Sequence, residues 1–139
     1  MYKFLKSRPI TVVGTLSAIH SIVYGVGFIF AVGGFDRAVL YIEVGLLYPT
    51  GQEILGLFLL LFGFITMAGY VWNRGRLVRW GSGGQSFLWA FAGFTYFLNG
   101  QILLGLGVAM IWTIISTYMA FLHKNVEDIR DYAVLTGAR

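Results

Sequence analysis

At 139 residues the chain has the length of one domain, and 58% of it is hydrophobic while only 12% is charged, against roughly 25% charged residues in a globular protein. A water-soluble domain of this size would hide its apolar side chains behind a charged surface that this composition does not supply, so the expected solvent is lipid. The net charge of +4 is spread over short flanks of apolar runs, which points to anionic headgroups rather than nucleic acid, and the lack of cysteine removes disulfides, thiolate metal sites and thiol nucleophiles together.

The first apolar run covers residues 10–32, behind Lys3, Lys6, Arg8 and Pro9. At 1.5 Å per residue this crosses a hydrocarbon core of ~30 Å. It is longer than the roughly 7–15 apolar residues of a signal peptide, so a retained helix is expected. Residues 33–49 follow, where Val39, Leu40, Ile42, Leu46 and Leu47 are interrupted by Asp36, Arg37 and Glu43. That pattern suits a short interfacial helix with Tyr41 and Tyr48 at headgroup depth, with a re-entrant hairpin as the other possibility.

The second run, residues 54–72, has a start signal in Pro49, Thr50 and Glu53, the last two spaced as a capping box. The third is expected over residues 82–98, with Gly81, Ser82, Gly83 and Gly84 as a flexible entry. Asn99, Gly100 and Gln101 then make a tight turn into the fourth, residues 102–122. A charged tail, residues 123–139, continues that helix, with Lys124 and Asp128, and Glu127 and Arg130, spaced for pairing.

Cytoplasmic loops retain lysine and arginine. Lys3, Lys6 and Arg8, then Arg74, Arg76 and Arg79, then Lys124, Arg130 and Arg139 share one side if the chain crosses four times. Only Arg37 falls opposite, beside Asp36, Glu43 and Glu53. The expected fold is therefore an all-α membrane protein, a four-transmembrane-helix bundle with both termini cytoplasmic. A bacterial inner membrane, or a phage protein inserted there, suits so compact a chain.

Helices in lipid associate through small residues that let backbones approach. Ser17, Ser21 and Gly25 form such a stripe on the first helix, and Gly105, Ala109, Thr113 and Thr117 on the fourth. Their matching depths suggest that these two helices pack together, while Gly56 and Gly63 of the second could serve contacts between subunits.

His20 is the one strongly titratable side chain in the body of a span, and an ionisable group at that depth is a candidate for function. With Tyr24 one turn away and Thr113 at similar depth it could form an intramembrane polar site, either a proton relay or a neutral histidine that fixes packing. Trp89 and Trp112 fall deep in their spans, where bulky packing is favoured over a ligand pocket. His123, Glu127 and Asp131 recur at helical spacing, which reads as a solvated, salt-bridged face rather than a metal site. No cofactor is implied, and no phosphate loop or nucleophile elbow is present.

Two functions compete. One is a non-enzymatic protein that acts by helix assembly, as a homo-oligomeric, holin-like pore or as an accessory subunit of a larger membrane complex, with the bilayer, itself or other membrane proteins as partners. The other is a small proton-linked transporter using His20.

Overall fold

The computed structural model describes residues 8–30, 50–98 and 105–135, with side chains over residues 10–30, 53–97 and 105–123. The described residues form an all-helical bundle of four helices: α1 (Arg8–Phe30), α2 (Thr50–Val71), α3 (Gly75–Leu98) and α4 (Gly107–Leu135). Two stretches are long and apolar enough to cross a membrane by length and composition, Ile10–Phe30 with 21 residues and Glu53–Val71 with 19. The expected interfacial helix at residues 33–49 and the turn at 99–101 lie outside the described residues.

Each helix runs antiparallel to the next. Between α1 and α2, Gly25 meets Gly56 so closely that a Cβ on either would stand 2.7 Å from the other's carbonyl oxygen, and Gly63 fits against Ala18 and Ile22. Glycine has no side chain to hold the two backbones apart, so this seam closes on main-chain atoms.

The turn from α2 to α3 is a local consequence of Asn73, which has a φ of 52°. Asparagine tolerates the left-handed region better than most residues. Its amide donates to Tyr70 O at 3.3 Å and the Arg74 amide donates to Gly69 O at 2.8 Å, the pair of bonds of a Schellman ending.

α3 begins at Gly75, well before the expected start near residue 82. The run Gly81, Ser82, Gly83 and Gly84 is a full part of the helix, not a flexible entry. The reason is packing: Gly69 faces Val78, Gly81 seats Thr66 and Gly84 seats the Phe62 ring, so α2 and α3 lie close along this stretch. Between α3 and α4, Gly105 lies under Tyr96 and Gly93 faces Ala109.

The anticipated face-to-face pairing of the α1 and α4 stripes does not occur. Gly25 is taken by α2, Gly105 and Ala109 are taken by α3, and α1 and α4 meet through side chains. The core contains Phe28, Leu55, Leu59, Leu88, Trp89, Ala92, Tyr96 and Ala109. Around it the outer faces carry large apolar residues, including Leu16, Val23, Leu57, Phe64, Phe87, Phe94, Ile114 and Phe121.

Candidate functional site

The interior holds an unusual share of polar side chains. Ser17, Ser21, Thr66, Ser82, Gln85, Thr95, Ser116 and His123 are all buried, and a buried polar group is costly unless hydrogen-bonded. Three of the others, Ser17, Ser21 and Thr66, converge on Gln85, which has no exposed surface.

Gln85 sits where α3 faces both α1 and α2. Its Oε1 accepts from Ser17 Oγ at 3.2 Å and from Ser21 Oγ at 3.1 Å. Its Nε2 donates to Thr66 Oγ1 at 2.8 Å and to Phe62 O at 3.2 Å. An amide side chain has two donor hydrogens and two acceptor lone pairs, so the group is fully satisfied by partners on two other helices. Ser17 Oγ also shares a 3.2 Å hydrogen bond with Ser116 Oγ, which adds α4. Trp89 Nε1 donates to Ser21 Oγ at 3.1 Å. The amide thus joins α3 to α1 and α2 directly, and Ser17 carries the network on to α4.

His20 lies on the neighbouring face of α1, in an aromatic surround. Its ring stacks on Trp112 with centroids 4.0 Å apart and meets Tyr24 at 4.3 Å and Trp89 at 5.2 Å. Its Nε2 is buried with no hydrogen-bond partner. Tyr24 also stands edge-on to Trp89 at 5.1 Å and to Phe28 at 6.0 Å, so the cluster extends along α1.

No family model, curated protein or solved structure matches the chain. The geometry alone therefore carries the functional reading.

Of the residues singled out by pattern, His20 and Tyr24 do meet, while Thr113 does not join them. Thr113 Oγ1 donates to Ala109 O at 2.8 Å, its carbonyl accepts from Ser86 Oγ, and the place opposite His20 belongs to Trp112. Thr117 pairs with Ser86 at 2.6 Å, so the lower half of the α4 stripe also serves α3. Trp89 and Trp112 are packing partners of the histidine.

At the basic end of the bundle, His123 is buried and its Nδ1 lies 2.9 Å from Met119 O. Tyr70 stands edge-on to it, with ring centroids 6.0 Å apart, and places its buried, unpartnered hydroxyl against Gly14 of α1. The side chains of Glu127 and Asp131 lie outside those described.

Gln85 was not found from the pattern. The available signal is the spacing of Val78, Ser82, Gln85, Trp89, Ala92 and Tyr96, a single helical stripe once the glycines are counted as helix.

Proposed function

We propose that the chain is a four-span integral membrane protein with both ends cytoplasmic, which acts by helix assembly rather than catalysis. Its working form is a homo-oligomeric, holin-like pore or an accessory subunit of a larger membrane complex. The observation that carries this reading is an inverted burial pattern. Val12, Leu16, Val23, Leu57, Phe64, Phe87, Phe94, Ile111 and Ile114 are each more than half exposed, while serine, threonine and glutamine side chains are buried beside the apolar core.

In water such an apolar surface would far exceed the few hundred Å² that soluble monomers expose. In lipid the same arrangement is favoured, because polar side chains then bond across helices and apolar ones meet acyl chains. The hydroxyls of Ser17, Ser21, Thr66, Thr95, Thr113 and Thr117 support a structural use of the interior. They donate to Gln85 or to helix carbonyls.

Purification of the full chain in mild detergent, followed by mass measurement, tests assembly: a defined oligomer or a stoichiometric companion is expected. A strict monomer that retains no other protein would sink the proposal. Induced expression that leaves the membrane potential intact would remove its pore form.

One observation favours a second reading, a small proton-linked transporter. The buried Nε2 of His20 has no partner, which leaves a titratable nitrogen inside the bundle. In that case His20→Ala abolishes pH-dependent flux in proteoliposomes, and undiminished flux rejects the role.

A further inference from the structure

The turn between α2 and α3 gathers features that the assembly reading does not use. Arg74, Arg76 and Arg79 fall within the first residues leading into α3, with Arg74 and Arg76 exposed and Arg79 partly so. Trp72 before the turn and Trp80 after it are 65% and 66% exposed. The Arg79 guanidinium lies 5.4 Å from the centroid of the Trp80 ring. Between Glu53 and Glu127 the sequence has no carboxylate side chain, so this hairpin is wholly cationic.

We infer that this turn is a seat for the headgroup of an anionic phospholipid, with Arg74, Arg76 and Arg79 around its phosphate and Trp72 and Trp80 flanking it at the level of the glycerol backbone. The inference rests on the membrane reading above. Charge complementarity selects the occupant: three guanidiniums, each planar and able to bind phosphate oxygens in pairs, match an anionic phosphodiester.

The dimensions agree. At 1.5 Å per residue, Arg74 to Arg79 covers roughly 7–8 Å along the helix, and one headgroup layer is about 5–8 Å thick, half the difference between a whole bilayer and its hydrocarbon core. Exposed tryptophan is the side chain that sits at the inner edge of that layer. Arg76 and Arg79 engage other groups of the chain as well. A guanidinium carries five N–H donors, so one partner does not exhaust it.

The test uses the full chain in micelles containing equimolar phosphatidylglycerol and phosphatidylcholine, with retained lipid read by native mass spectrometry. Phosphatidylglycerol should be retained in preference, by about fivefold for each arginine engaged. The triple variant R74Q/R76Q/R79Q should bring the ratio close to one, and R74K/R76K/R79K should keep the part of the preference that is due to charge alone. An even ratio in the wild type, or a preference unchanged in the glutamine variant, would overturn the inference. So would a glutamine variant that loses thermal stability equally in the two lipids while keeping its lipid ratio, because the arginines would then serve only the chain's own carboxylates. A chain that stays dispersed without detergent and retains neither lipid would instead defeat the membrane reading itself.

Discussion

Ser21 and His20 are neighbours in the chain, yet the two faces of α1 that they occupy treat buried polar atoms in opposite ways. Ser21 belongs to a layer in which both hydrogens and both lone pairs of Gln85 are matched, and its own oxygen also accepts the Trp89 N–H. His20 belongs to a layer of rings, where stacking on Trp112 and a tilted contact with Tyr24 hold the imidazole and its Nε2 finds no acceptor or donor. Burial alone therefore says little about what a polar residue contributes. A matched amide specifies which helices meet, whereas a histidine held by π contacts keeps a nitrogen in reserve at a cost in stability.

The contrast can be broken most directly at Gln85. Gln85→Leu keeps the volume and removes four hydrogen bonds, and at about 0.6 kcal/mol for each interhelical bond, the value that the proposed membrane setting implies, it should destabilise the fold by roughly 2–3 kcal/mol in reversible unfolding from mixed micelles. A loss below about 0.5 kcal/mol would mean that the freed hydroxyls find new partners. Ser21→Ala should cost less, about 1 kcal/mol for two bonds, and about half of that cost should vanish in the Gln85→Leu background, where the bond from Trp89 remains, as a double-mutant cycle would show.

At His20 the sign should reverse. His20→Phe preserves a ring against Trp112 and deletes the unpartnered nitrogen, so stability should hold or rise by up to about 1 kcal/mol. A clear loss would reveal a hydrogen-bond partner and erase the distinction between the layers. Tyr70→Phe is the mildest change, since the buried hydroxyl against Gly14 has no partner to lose. A gain of a few tenths of a kcal/mol is expected, read as a small upward shift in the unfolding midpoint.

Much of the helical architecture was legible because helix formation follows local pattern. The apolar runs behind Pro9 and Thr50 correspond to α1 and α2, and α4 continues through the charged segment to Leu135. The start of α3 was not legible. Gly81, Gly83 and Gly84 look like breakers in isolation, and only the presence of Thr66 and Phe62 opposite two of them shows that two act as contact points. That misreading also hid Gln85, which fell at the very start of the expected span rather than in the middle of a helix.

The pairing of small-residue stripes failed for a related reason. Gly25 and Gly105 have the same chemistry whichever neighbour they face, and the sequence carries no mark that distinguishes Gly56 from Ala109 as the partner of Gly25. His20 and Tyr24 were found together because they share one helix, but Trp112, the closest ring to His20, comes from α4.

The sequence by itself determined the helical class, the approximate positions of α1 and α2, and the clustering of Arg74, Arg76 and Arg79 about the turn into α3, because hydropathy, turn chemistry and charge are properties of residues taken a few at a time. Only the tertiary structure decided that Gln85 joins the helices, that Gly25 meets Gly56, and that His20 is enclosed by rings. Those outcomes depend on which surfaces of four helices fit together, and fit is a property of pairs of distant residues.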